Sequence, residues 1–235
     1  MFQIIGFLII IYIVAQTVYT SSFFVKGRGL VKKEYTGEKI LGDAEKPEFK
    51  ILIDGDSVGA GVGATLFETT VAGRIALFYA KDHKVIFKNN SISGSTMSDL
   101  IDRKIPGIKQ DLIVLIVSSN DLFHFKSVPK FEKNTEKALA KYSKITDRLI
   151  IVGPGRVFDA QAIPFFVRPI YKNAGSRYSS VLAEKSEKFT NVVYINPFET
   201  KLSRDKYGAT LSRDGFHPND SGYEFWFDMI KPFLK

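Results

Sequence analysis

The stretch Phe49-Lys50-Ile51-Leu52-Ile53-Asp54-Gly55-Asp56-Ser57-Val58-Gly59-Ala60-Gly61-Val62-Gly63 runs from a short apolar segment into a polar, glycine-rich turn. An apolar run of this length, stopped by glycine, reads as a buried strand. Four more runs of the same kind follow: Lys84 to Asn89, Leu112 to Ser118, Leu149 to Val152 and Val192 to Ile195. Amphipathic stretches separate them near Ala64 to Lys81, Met97 to Ile108, Pro129 to Ser143 and Ser176 to Lys188, with a last one near Asp220 to Phe233. Strands alternating with helices imply right-handed crossovers and a parallel sheet covered on both faces. The expectation is a three-layer α/β/α sandwich on a five-stranded parallel sheet, with chemistry beyond the carboxyl ends of its strands.

A chain of 235 residues suits one such domain, and 45% apolar residues exclude a disordered or low-complexity protein. The absence of cysteine excludes a disulfide framework, a thiolate nucleophile and a Cys-ligated metal. A net charge of +8 suits an anionic partner. Without zinc-knuckle spacing or a long basic tract, nucleic acid is not expected, and the membrane is the better candidate.

No charged side chain occurs in residues 1–25, and FQIIGFLIIIYIVAQTVYTSSFFV, Phe2 to Val25, is long enough to cross about 30 Å of hydrocarbon. It reads as a single transmembrane anchor or uncleaved signal. A cleaved signal is the alternative, but no basic residue precedes the run and Ala15, Thr20, Ser21 and Ser22 make a poor cleavage site. Lys26, Arg28, Lys32 and Lys33 follow it, and the positive-inside rule would hold that flank in the cytoplasm, although so short a signal leaves the side open. Residues 26–47 are polar and lack periodicity, and they read as a tether ahead of a domain over residues 48–235.

The turn at residues 54–63 admits several readings. Gly59-x-Gly61-x-x-Ala64 has dinucleotide-fingerprint spacing, but the next strand ends Phe87-Lys88-Asn89-Asn90 without the acid that holds a ribose. Gly55-Asp56-Ser57-Val58-Gly59 fits the G-x-S-x-G elbow of an α/β-hydrolase, yet it ends the first strand where that fold places it late. A solvated serine in a glycine-rich turn is the bland alternative.

Ser212-Arg213-Asp214-Gly215-Phe216-His217-Pro218-Asn219-Asp220 decides among them. A serine nucleophile needs a base, and the base an orienting acid. Asp214 stands three residues before His217 in one loop, close enough to bond one imidazole nitrogen while the other faces Ser57. Of the other histidines, His83 sits in a charged turn, whereas His124 follows Asn120-Asp121 and is a candidate to line the site.

These residues resemble the SGNH-type hydrolases of the GDSL esterase and lipase superfamily over most of residues 49–235. Gly55-Asp56-Ser57 matches the first block, Gly94 in Asn90-Ser91-Ile92-Ser93-Gly94 the second, Asn120-Asp121 the third, and Asp214-x-x-His217-Pro218 the fifth. The resemblance implies a flavodoxin-like fold and a serine esterase needing no cofactor. It assigns Ser57 as nucleophile, His217 as base and Asp214 as its orienting acid, with an oxyanion hole from the Ser57 and Gly94 N–H groups and the Asn120 amide. A glycine at 94 is expected to allow close backbone approach. Asp56 and Asp121 read as scaffold that accepts backbone N–H groups.

One departure stands out: the third block usually has glycine two residues before the asparagine, where this chain has Ser118. A side chain there is expected to shift Asn120 or narrow the site, which keeps an acyl- or glycan-binding module without turnover as the rival reading. No metal site is expected. The segment Gly153 to Tyr178 is long and apolar and reads as an acyl-chain wall, with Phe165 and Phe166 as candidate substrate contacts, or as a second membrane contact beside the anchor, or else as an ordinary packed loop. The expected substrates are small esters, O-acetylated glycans or lysolipids.

Overall fold

The computed structural model describes residues 2–30 and 33–234; Lys32, one of the basic residues after the apolar run, lies outside the described residues. The sheet is built from β1 (Gly37–Leu41), β2 (Glu48–Gly55), β3 (Lys84–Asn89), β4 (Leu112–Ile116), β5 (Leu149–Val152) and β6 (Val192–Ile195). Its order is β1-β3-β2-β4-β5-β6, and every pairing except that of β1 with β3 is parallel. The parallel part has flavodoxin-like order, with its switch point between β2 and β4.

The expected five-stranded parallel sheet is thus a six-stranded mixed sheet. The added strand lies within the stretch that reads as a tether, paired from Gly37 opposite Asn89 to Leu41 opposite Val85. Its residues are exposed up to Leu41, so it is a solvated edge carrying Glu38 and Lys39 and shows little of the apolar signal that marks a strand in sequence. Lys88 of β3 closes an ion pair with Glu38 at 2.7 Å.

Alternate residues of the central strands serve the two faces. Ile51, Ile53, Leu112, Val114, Ile150 and Val152 pack under α2 (Val71–Ala80) and α8 (Asp220–Ile230), where Ile75, Tyr223, Trp226 and Ile230 are buried. Leu52, Ile113, Leu115, Leu149 and Ile151 face α3 (Met97–Asp102), α5 (Val128–Tyr142) and α6 (Arg168–Ser186), meeting Leu100, Phe131, Leu139, Tyr178 and Leu182. Strands apolar on both faces are what a doubly covered parallel sheet requires.

Helix limits differ from expectation where local chemistry intervenes. α2 starts only at Val71, because Thr70 caps it by accepting from Gly73 N and a 3-10 turn occupies Phe67–Thr69. α3 stops at Asp102, six residues early. α6 starts at Arg168, so part of the long connection after β5 is helical; Pro169 in its first turn fits there because that position needs no N–H. Two short helices, α4 (Ser119–Phe123) and α7 (Arg204–Ala209), occupy stretches to which the sequence assigns no element. At the N-terminus, α1 (Phe2–Gly27) is long and apolar enough to cross a membrane.

Candidate active site

Three turns at the carboxyl ends of β2, β3 and β4 meet the loop before α8. The chain leaves β2 at Gly55, and Asp56 N donates to Ile116 O at 2.9 Å, joining the turn to β4. The Asp56 carboxylate accepts from Val58 N at 2.9 Å and closes the turn that presents Ser57. Asn89 secures the turn from β3, donating to Gly59 O at 2.9 Å while accepting from Ser91 N at 3.0 Å.

The Ser57 hydroxyl lies 2.9 Å from His217 Nε2, and His217 Nδ1 lies 2.6 Å from Asp214 Oδ2. The other Asp214 oxygen accepts from the backbone N–H of Phe216 at 2.9 Å and of His217 at 3.0 Å. Burial works against the charged Asp214, but the His217 hydrogen bond and charge, with the two backbone donors, outweigh it and hold its pKa below the usual carboxylate range. An ionised acid on Nδ1 leaves Nε2 free to receive a proton from Ser57.

Gly94 and Asn120 line the same cavity as Ser57 and His217. Asn120 Nδ2 donates to Ser95 O at 2.9 Å, so one of its two N–H bonds is engaged and the other is available. No atom of the chain stands within 4 Å of where a Gly94 Cβ would be, so no packing contact within the protein demands glycine here. Its φ of +82° is the reason, since that conformation strains an L side chain.

Ser118 is buried at φ +110°, and its hydroxyl has no partner among the described residues. The backbone therefore takes a glycine-favouring turn with a serine in it, while Asn120 still reaches the cavity two residues on. Asp121 accepts from Met97 N at 2.8 Å and ties this turn to the start of α3. Desolvation by burial pushes the carboxyl of Asp56 up to about 7 and that of Asp121 up to about 6. Both serve the backbone, as scaffold acids should.

The cavity, about 480 Å³, is walled by Phe123, Ala162, Ile163 and Phe216, and on one side by Gly27, Arg28 and Gly29. Phe165, Phe166 and His124 are not among its lining residues; all three are exposed. Within the connection Gly153 to Tyr178 it is Ala162 and Ile163 that line the cavity. Phe123 and Phe216 adjoin Asn120-Asp121 and His217 in sequence, and that adjacency was the available signal. The participation of residues 27–29 had none. The fingerprint spacing of Gly59, Gly61 and Ala64 also fails locally, because no helix begins until Val71. Among the described residues no cluster of His, Asp and Glu could hold a metal.

A serine beside an acid-oriented histidine, at the switch point of a flavodoxin-like sheet, is the arrangement of a serine hydrolase. Residues 55–225 match the GDSL-like lipase/acylhydrolase family, which makes the class ester-hydrolysing, and the chain belongs to that family. Among solved structures it resembles a mutant of Axe2, an acetyl-xylooligosaccharide esterase from Geobacillus stearothermophilus, with TM-score 0.62 and 17% identity over 83% of this chain and 95% of that one. LAE5, an alpha/beta hydrolase from the metagenome of Lake Arreo, Spain, gives TM-score 0.62 and 18% identity over 80% and 96%. TesA gives 0.60 and 18% over 79% and 98%. At such identities the likeness speaks for the fold. No curated protein matches by sequence.

Proposed function

We propose that the protein is a membrane-anchored serine esterase in which Ser57, His217 and Asp214 carry a two-step acyl transfer. The carrying observation is the relay of 2.9 and 2.6 Å contacts opening into an apolar cavity. His217 Nε2 takes the Ser57 proton as Oγ attacks the ester carbonyl, and Asp214 steadies the resulting imidazolium. The oxyanion is met by the N–H groups of Ser57 and Gly94 and the free Asn120 N–H, each such donor being worth about 3 to 4 kcal/mol in the transition state. The C–O bond breaks, the alcohol leaves with the proton from His217, and water, deprotonated by His217, releases the acid from Ser57.

The substrate is an acyl ester, and the mostly apolar lining favours an alkyl chain over a bare acetyl group. Acetylated sugars, the substrates named for Axe2 and for an esterase active on acetylated mannans, are the second choice. Residues 1–25 serve as anchor, and the catalytic domain begins with β1 at Gly37 rather than after the tether. The strained Ser118 supports a binding module without turnover as the rival.

The test is hydrolysis of p-nitrophenyl acetate and octanoate by the full chain in detergent, beside Ser57→Ala and His217→Ala. Each substitution is expected to lower kcat by about 10⁴-fold or more with folding kept. Turnover surviving in Ser57→Ala would falsify the relay. A folded wild type that neither turns over nor reacts with a fluorophosphonate hands the argument to the binding module.

A further inference from the structure

Along α1, Gln16, Thr20, Phe23 and Gly27 recur at helical spacing as the residues most withdrawn from solvent, with Thr20 at 5% and Phe23 at 7% exposure. Of these, Phe23 and Gly27 face the loop that carries Asp214 and His217. A Cβ on Gly215 would come within 2.7 Å of the Phe23 ring, and one on Gly27 within 2.6 Å of Asp214 Cβ, so the helix reaches the acid–histidine loop at a distance only glycine permits. Arg213 donates to Arg28 O at 3.3 Å. Gly27, Arg28 and Gly29 then line the same cavity as Ser57 and His217.

From Ile5 to Ala15 the helix is exposed apart from Gly6. From Phe2 to Ala15 it reaches about 21 Å, roughly 9 Å short of a bilayer's hydrocarbon core. Large apolar side chains from Phe7 to Val14 are exposed all round. Covering the shortfall draws the docked turns, and the domain surface beside them, into the interface. That surface suits it: Phe125, Phe165, Phe166 and Ile170 are exposed, and Arg168, among the last three in sequence, lies near Tyr12 and Tyr19 of α1. An apolar rim with basic residues such as Arg28 and Lys172 is the composition that settles into an anionic lipid surface.

We propose that the end of α1 is one wall of the ester-binding cleft and holds its mouth at the membrane surface, so that the substrate is an acyl ester carried by a membrane amphiphile. The proposal rests on the esterase reading above and deepens it. The anchor is then a specificity element as well as a tether, and the acyl chain enters between Ile163 and the turn at Gly27 to Gly29.

The full chain in vesicles of phosphatidylcholine and phosphatidylglycerol tests this, with palmitoyl lysophosphatidylglycerol as the membrane-borne ester and p-nitrophenyl acetate as the soluble one. Two variants are compared with wild type: Phe23→Ala, which loosens the helix from Gly215, and the double substitution Phe165→Asp with Phe166→Asp, which charges the rim. Each is expected to lower the ratio of lysolipid to acetate kcat/KM by about tenfold. Acetate turnover reports that each variant is folded, and should Phe23→Ala not fold, the rim variant decides alone. An unchanged ratio overturns the half of the proposal that the variant addresses, and N-terminal sequencing that finds α1 removed from the native protein overturns all of it. Ser57-dependent acetate turnover in those cases leaves the esterase reading standing, whereas its absence from wild type sinks that reading itself.

Discussion

Ser118→Gly is expected to stabilise the protein, against the usual sense of a glycine substitution. The native φ of +110° is one that side chains rarely adopt, and such a strained residue costs about 1 to 3 kcal/mol. The buried hydroxyl without a partner costs about 1 to 3 kcal/mol more. Against these stands the extra freedom glycine gives the unfolded chain, about 0.4 to 1 kcal/mol. The balance is a gain of about 1 to 5 kcal/mol, which for a domain of this size raises Tm by about 2 to 20 °C. Thermal unfolding of the full chain in detergent measures it, with Ser118→Ala alongside. Alanine removes the hydroxyl and keeps the strain, so the glycine variant should lie above alanine, and alanine at or above wild type. A glycine variant no more stable than alanine would show that the backbone at 118 is relaxed. The strain account of the third-block departure would then be wrong.

Three further outcomes follow from the site. Asp214→Asn should lower kcat by about 10³ to 10⁴-fold, because an amide on Nδ1 no longer fixes the imidazole tautomer; steady-state rates on p-nitrophenyl acetate decide, and a loss below tenfold contradicts the assigned role. The lowered pKa of Asp214 means that its folded form holds its proton less tightly than the unfolded chain, so its stabilisation is present above about pH 4 and fades as pH falls further. Asp56 and Asp121 work in the opposite sense, since burial raises them to about 7 and about 6 and the folded state binds their protons more tightly. Stability should therefore decline as pH rises from about 4 toward 7, and Asp56→Asn should flatten that decline; Tm against pH for the two proteins is the comparison, and parallel curves would refute the assignment.

What could be read from sequence divides along a physical line. β3, β5 and β6 coincide with the expected runs, and β2 and β4 agree within two residues, because each strand buries at least part of an apolar set and the central β4 and β5 are buried on both faces. β1 was illegible for the opposite reason: its residues are nearly all solvated, and only the hydrogen bonds to β3 make it a strand. The start of α6 was hidden by Pro169 and by the aromatic cluster before it, which read as a wall. Ser57, His217 and Asp214 were legible because their chemistry is local, two of them in one loop and the third at a strand end. Phe216 and Phe123 were not, since a residue that lines a cavity carries no sign of which way it faces. The docking of α1 on the site depends on contacts between residue 23 and residue 215, which no local pattern encodes.

The buried acids around the site make sense as the frame for its donors. Asp54, inside β2, accepts from Gly55 N at 2.8 Å and from the Tyr142 hydroxyl at 2.7 Å, and pairs with Arg103 at 3.2 Å. Arg103 in turn donates to Ser95 Oγ at 2.7 Å and to Asn90 O, the two ends of the turn that carries Gly94. Asn120 closes on Ser95 O from the β4 side, and Asp121 reaches Met97 N just beyond. The turns from β2, β3 and β4 are thus cross-linked by side chains of which only Asn120 lines the cavity. Burial raises the pKa of Asp54 as it does those of Asp56 and Asp121, so each acid weakens its own ionised form in order to hold backbone. Donors fixed in this way need no reorganisation when charge develops on a carbonyl oxygen, which is the condition under which an oxyanion hole is most effective. On that argument Arg103, far from Ser57 in sequence and absent from the cavity wall, acts as a positioning residue for Gly94: Arg103→Met should lower kcat on p-nitrophenyl acetate with little change in KM, whereas a merely structural role would lower Tm and leave kcat of the folded fraction intact.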